Sequence, residues 1–212
     1  MENNIEIEVR GPIEKKDFNR LKKFFDKNAK FINEKDRLSL LYFRNEIPKD
    51  INDLKDDKVD LRLRITNKKA EIMLKYGSWA GSDIRKEISI PIDSSNIEHA
   101  IEFLKILDWY LGVIYTTKTY VYKYKEIEFS LVNINNFRYT CEAEILAKES
   151  DDVEKLKTKI ISVFKELNLR EYRKGEFEEL CNEMNNKKSL RFNFKKDDVK
   201  ETLKRFNRFF SF

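Results

Sequence analysis

Ile5-Glu6-Ile7-Glu8-Val9-Arg10 alternates apolar and charged side chains residue by residue. Successive side chains of a strand point to opposite faces, so this pattern predicts a half-buried β-strand. Glu6, Glu8 and Arg10 share one face, about 6.6 Å apart in sequence steps of two, while Ile5, Ile7 and Val9 share the other. Gly11-Pro12 is expected to break the strand. Pro12 then sits early in a helix whose Phe18, Leu21 and Phe25 recur on one side.

The same alternation returns along the chain. Arg62 and Arg64 oppose Leu61, Leu63 and Ile65; Lys75 falls on the face away from Ile72 and Leu74. Arg85 and Glu87 oppose Ile88 and Ile90, Glu142 and Glu144 alternate with Cys141, Ala143 and Ile145, and Lys118 opens a strand continuing through Tyr120 and Tyr122. Strands are therefore expected at 29–33, 37–43, 59–65, 69–75 and 85–90, with three more in series over 113–147. A polar segment at 45–58 containing Pro48 is expected to be a mobile loop, and 76–82, with two glycines and Trp79, a turn.

Helical spacing appears after the caps Asp93, Ser94 and Ser95, where Ile97, Ile101, Leu104 and Leu107 form a stripe that Gly112 is expected to end. Helices are also expected over 151–167 and near 176–184. In the tail, Val199, Leu203, Phe206 and Phe210 recur at helical spacing, which predicts a helix docked on the domain or on a partner chain.

Single strands with one charged face usually just meet water. Here the types segregate: the first and last strands carry Glu-x-Glu, and the middle ones carry Arg or Lys. If an antiparallel barrel gathers these faces into one lumen, the charges must compensate one another or hold a ligand. Carboxylates with guanidinium and ammonium groups suit a polyphosphate and a divalent metal: Mg²⁺ or Mn²⁺ takes oxygen ligands, and Arg contacts phosphate bidentately.

Composition narrows the classes. A chain of 212 residues with 41% hydrophobic content supports one sizeable core. Charged residues make up 38%, at a net +5, so both signs are mixed, unlike a nucleic-acid-binding tail, while anionic partners stay favoured. One histidine and two cysteines support neither a zinc site nor a Cys–His pair, and His99 is expected on the surface. No phosphate-binding Gly loop and no membrane-spanning apolar run is present. The polar, acidic start lacks a signal-peptide pattern, and a cytoplasmic protein with reduced thiols is expected.

The ordered set Glu6-x-Glu8-x-Arg10, Arg62-x-Arg64, Leu74-Lys75, Arg85-x-Glu87, Lys118-x-x-x-Tyr122 and Glu142-x-Glu144 resembles the CYTH superfamily, the triphosphate tunnel metalloenzymes. The stretch 174–180 resembles the short helix that closes many members. The resemblance implies an α+β fold: an eight-stranded antiparallel β-barrel, the triphosphate tunnel, with flanking helices over 1–185 and a C-terminal helical extension over 186–212. It implies Glu6, Glu8, Glu142 and Glu144 as ligands for Mg²⁺ or Mn²⁺. Arg10, Arg62, Arg64, Lys75, Arg85 and Lys118 would grip the substrate, with Glu6, Glu8 and Arg10 at the chemistry.

The implied function is a divalent-metal-dependent phosphohydrolase acting on a triphosphate: tripolyphosphate, thiamine triphosphate, or a nucleoside or RNA 5′-triphosphate. Class IV adenylate cyclase is the second enzymatic reading, and a catalytically weakened polyphosphate- or nucleotide-binding module the third. A small-molecule triphosphate is the expected partner, and a homodimer and an RNA 5′ end stay open. Two departures stand out. Arg10 replaces the family's Lys, and Leu131-Val132-Asn133 with Phe137-Arg138 offers no carboxylate where the family has Asp before its last Glu pair. Glu128, on the preceding strand, is the nearest acidic substitute.

Overall fold

Three tight hairpins fix which side chains share a face. The two-residue loops Asn67-Lys68 and Lys125-Glu126 have positive φ at both residues, the geometry whose twist matches paired strands. The third loop has three residues, Asn135-Asn136-Phe137, with positive φ at the two asparagines. They join β3 (Val59–Thr66) to β4 (Lys69–Tyr76), β6 (Leu111–Tyr124) to β7 (Ile127–Ile134), and β7 to β8 (Arg138–Ala147). The remaining strands are β1 (Ile5–Ile13), β2 (Lys30–Phe43), β5 (Lys86–Ile92) and the short β9 (Arg191–Asn193). The computed structural model describes residues 5–54, 59–76, 86–148 and 151–210.

The strands follow the order β1-β8-β7-β6-β2-β3-β4-β5, with β9 paired to β6 off this path. Each pairing within the hairpins, and β1 with β8, is antiparallel. The eight strands that the resemblance implies are present, and the extension adds β9 as a ninth. The predicted pair at 29–33 and 37–43 is one continuous strand, β2. Two compact units divide the chain: residues 1–35 with 117–175, and residues 36–116 with 176–212. β2 and β6 each contribute to both.

In the first unit, Ile7 and Val9 of β1, Cys141 and Ala143 of β8, and Phe129 and Leu131 of β7 form one apolar face. Helix α1 (Lys15–Asn28) lays Phe18, Leu21 and Phe25 on it, as the helical spacing predicts. Helix α3 (Val153–Glu166) adds Ile160, Val163 and Phe164, its first turn capped by Asp152, which accepts from the Lys155 amide at 3.0 Å. The strand does not break at Gly11-Pro12. β1 is an end of the strand path, so Pro12 is asked for no ladder donor there. Segment 170–172 covers this stretch, the Tyr172 amide donating to the Arg10 carbonyl at 2.9 Å.

In the second unit, Leu38 and Leu40 of β2, Leu61, Leu63 and Ile65 of β3, and Ile72 and Leu74 of β4 make the apolar face. It is covered by α2 (Ile97–Ile106) through Ile97, Ile101 and Leu104, and by the tail. The tail's helix α5 (Val199–Lys204) ends early, but Leu203, Phe209 and Phe210 are buried in this core, and the expectation of a docked tail holds. Gly112 does not end α2; it lies in β6, and Asp108, at φ 63°, turns the chain instead. Segment 45–54 is pinned by helix α4 (Glu176–Asn186): Asn182 accepts from the Ile51 amide at 2.6 Å, and Asn186 donates to the Lys49 carbonyl at 3.1 Å. Among the described residues no helix is long and apolar enough to cross a membrane.

Gly11 is where the first unit tolerates no side chain, because a Cβ there would stand 1.9 Å from the Arg170 carbonyl oxygen. Backbone cannot yield as a flexible side chain does. Gly11→Ala should cost about 2–3 kcal/mol, read as a drop in melting temperature on the order of 5–10 °C. An unchanged melting curve contradicts this close packing.

Candidate functional site: two ionic strand faces

The acidic face belongs to the first unit. Glu8 of β1 pairs directly with Glu144 of β8, which in turn pairs with Glu128 of β7. One row of the sheet thus carries three carboxylates on the face opposite the apolar core. In the next row Arg10 pairs with Glu142. Arg10 turns along its own strand to grip Glu8 with two bonds, Nε to Oε1 at 2.5 Å and Nη2 to Oε2 at 2.6 Å. Its Nε also lies 3.6 Å from Glu142. Arg10 is therefore an internal cation between two of the predicted metal ligands. Of Glu6 only the backbone, paired with Leu146, is described.

Lys118 is not brought to this face. It pairs with Asn133, in step with Tyr120 and Tyr122 on the apolar side of β6. There its ammonium meets Glu34 at 2.9 Å and lies 5.5 Å from the Tyr120 ring. The hydrogen bonds it donates to Glu34 and Tyr120 raise its pKa. The side chains of β6 that share the acidic face are Thr117, Thr119, Val121 and Lys123.

Where the sequence lacks the expected Asp, neither Val132 nor Asn133 is acidic, and Glu128 of the same strand stands beside Glu144 in the carboxylate row. Asn133 folds back on the hairpin, accepting from the Asn136 amide and donating to its side chain, both at 2.9 Å. Val132 lies opposite Thr140, a buried residue whose hydroxyl has no hydrogen-bond partner.

The cationic face belongs to the second unit. Register places Arg62 and Arg64 on one side of β3 with Lys75 and Glu71 of β4 and Glu87 of β5. Arg62 is satisfied: Asp60, only 1% exposed, takes its Nε at 2.7 Å and Nη2 at 2.6 Å, and Tyr115 accepts from Nη1 at 3.3 Å. Burial works against the Arg62 charge, but Tyr115 and Asp60 outweigh it and raise the pKa. Lys75 meets Glu87 at 2.9 Å. Burial alone would raise the Glu87 pKa, yet Lys75 and the two arginines bring it down.

Arg64 is different. It is 8% exposed, and its Nε has no hydrogen-bond partner. The carboxylate opposite it, Glu71, is taken by the Ser89 hydroxyl on β5. Burial, then the Arg62 and Arg37 guanidiniums, pull its pKa down to about 10, so it is charged at neutral pH. A buried, incompletely bonded guanidinium is costly unless an anion completes it.

The sequence matches the CYTH domain over residues 4–175. The chain belongs to the CYTH family. Solved structures share the triphosphate-tunnel fold: the PH1012 protein of Pyrococcus horikoshii aligns at TM-score 0.61 with 21% identity over 84% of this chain and 98% of its own. The PH1819 protein of the same organism aligns at TM-score 0.62 with 20% identity, again over 84% and 98%. HpAC1 of Hippeastrum, a proposed adenylyl cyclase described as having a dominant triphosphatase activity, aligns at 0.53 with 18% identity over 80% and 90%. No curated protein matches the sequence.

CYTH enzymes are generally divalent-metal dependent, and the donor set of this chain, all carboxylate, fits a hard cation. Glu8, Glu142 and Glu144 are half-buried on one face. Among the described residues no three acidic, His or Cys side chains converge as ligands, so metal has to draw Glu8 off Arg10 or bind beside the pair. Sequence reasoning missed Asp60 and Tyr115. Asp60 was legible as the residue two before Arg62, whereas Tyr115 is 53 residues away and carried no signal.

The two arginines should separate in stability. Asp60→Asn leaves a buried guanidinium unpaired and should cost about 3 kcal/mol. Arg64→Met removes an unmet donor and should leave the melting temperature equal or higher. A large loss of stability in Arg64→Met would make Arg64 a structural residue.

Proposed function

We propose that this CYTH protein is a divalent-metal-dependent phosphohydrolase that acts on a triphosphate chain. The observation that carries the proposal is Arg64: a buried guanidinium with an unpartnered nitrogen, flanked by two more guanidiniums, on a face with family-pattern Arg62 and Lys75. A multiply charged oxyanion is the ligand class that satisfies all of these donors together. Arg85, which lies outside the described residues along with Trp79, keeps its proposed role in gripping phosphate from the family pattern alone.

Glu8, Glu142 and Glu144, with Glu6 by the same pattern, are proposed to hold the metal, Mg²⁺ or Mn²⁺. A metal bound there would neutralise phosphate oxygens and supply an activated water. The residues themselves do the rest. Arg64 and Arg62 fix the phosphate chain and meet the negative charge that grows as the anhydride bond breaks. Asp60 keeps Arg62 oriented. Arg10 holds the Glu8 carboxylate in place through two hydrogen bonds.

A second reading, a binding module with weak or no turnover, is favoured by two specific features. Glu8 is committed to Arg10, and Val132 stands where a carboxylate would add another ligand.

Release of phosphate from tripolyphosphate, thiamine triphosphate and ATP, each with Mg²⁺ or Mn²⁺, separates the readings. Hydrolysis is expected, and Arg64→Met should lower kcat/KM about 100-fold, the scale of one lost transition-state contact. Glu8→Gln should lower it comparably and weaken the metal dependence. Cyclic AMP among the ATP products would instead make the protein a cyclase. Tight tripolyphosphate binding without turnover would make it a binding module, and neither binding nor turnover in folded protein overturns the proposal.

A further inference from the structure

Arg37 of β2 belongs to none of the family-pattern positions, yet it stands on the cationic face. It pairs directly with Thr66 of β3, and Ser39 of the same strand pairs directly with Arg64. These four residues form a small quadrilateral on one side of two adjacent strands. The guanidiniums occupy one diagonal and the hydroxyls the other. Diagonal neighbours on paired strands have Cα atoms about 7–8 Å apart, within the reach of two arginine forks. Ser39 and Thr66 are the smaller side chains of the four.

Three facts give this quadrilateral a ligand. Arg64 is more than nine-tenths buried and its Nε lacks a partner. The acid opposite it on β4 is engaged by Ser89. Arg37 is already oriented, its Nε donating to the Thr66 hydroxyl at 2.8 Å. Two guanidiniums held this close repel each other, and Arg37 is among the groups that depress the Arg64 pKa. A tetrahedral oxyanion between them turns that repulsion into attraction and fills the unmet donor.

We propose that Arg37 and Arg64 together bind one phosphoryl group of the substrate, with Thr66 as the residue that positions Arg37. This rests on the triphosphate reading above and adds a binding residue from β2. The group bound here is a phosphoryl rather than a nucleoside or thiamine moiety, because no aromatic ring lies in the quadrilateral and every donor in it suits oxygen. Arg37 therefore acts on any triphosphate regardless of what it carries.

Calorimetry with tripolyphosphate in EDTA tests this without metal or turnover. Arg37→Gln should raise the tripolyphosphate Kd about tenfold or more, the worth of one charged hydrogen-bond set. Thr66→Val should raise it less, and neither should alter unliganded melting. Arg37→Gln and Arg64→Gln should be non-additive in the double variant, since both act on the same group. The loss should be equally large, in fold terms, for tripolyphosphate and ATP. Binding by Arg37→Gln within about twofold of the parent, the tolerance of independent sites, with binding lost in Arg64→Gln, overturns the role of Arg37 and leaves the triphosphate reading standing. Strict additivity also overturns the shared group. Absence of binding in the parent removes both. If Arg37→Gln does not fold, Arg37→Lys and Thr66→Val decide: parental affinity in both rejects the proposal.

Discussion

A charge taken out of water has to find its counter-charge, and the polar side of β3 shows what happens when one finds it and its neighbour does not. Arg62 is gripped by Asp60 on its own strand. Arg64, two residues on, is more deeply shielded, and the acid across from it is turned to Ser89. Nothing about the local backbone requires this difference, since both residues have the same strand geometry. The unfilled donor is a standing cost that the fold carries.

That cost is sustainable because of the opposite side of the same strands. Leu61, Leu63 and Ile65 alternate with the arginines and are sealed beneath α2 and the aromatic tail. The residues after the family domain are thus part of the second unit's hydrophobic layer, through Leu203, Phe209 and Phe210. Burial of several large side chains at about 1.5–3 kcal/mol each outweighs one badly served guanidinium. The first unit solves the reverse problem. Its face gathers carboxylates, and Arg10 bridges Glu8 and Glu142 as a resident cation. On the second unit's face one buried guanidinium nitrogen has no partner, and the first unit's face carries more carboxylates than Arg10 compensates.

Period-two alternation made the strands readable, because one face of each must be apolar to be buried. It also made the two ionic faces readable as lists of residues. What failed did so for identifiable reasons. Gly11-Pro12 looked like a break because the rule against Pro in strands assumes a partner waiting for the N–H. Gly112 looked like a helix end, although its small size serves a close approach to the Leu41 carbonyl. Lys118 looked like a member of the charged set, but the Lys125-Glu126 hairpin sets a register that puts it with the tyrosines. Lys-Glu is not a recognisable turn sequence, so that register could not be read ahead.

The amino-acid order by itself determined the α+β class, the family, and the separation of acidic from basic strands, because all of these follow from local periodicity and spaced motifs. Only the tertiary structure decided which charges are compensated. That Asp60 satisfies Arg62, that Ser89 donates to Glu71, and that Arg37 stands diagonal to Arg64 depend on strand register and on rotamers chosen in competition. Compensation is a property of distance and shielding between side chains far apart in the chain, and no local pattern encodes it.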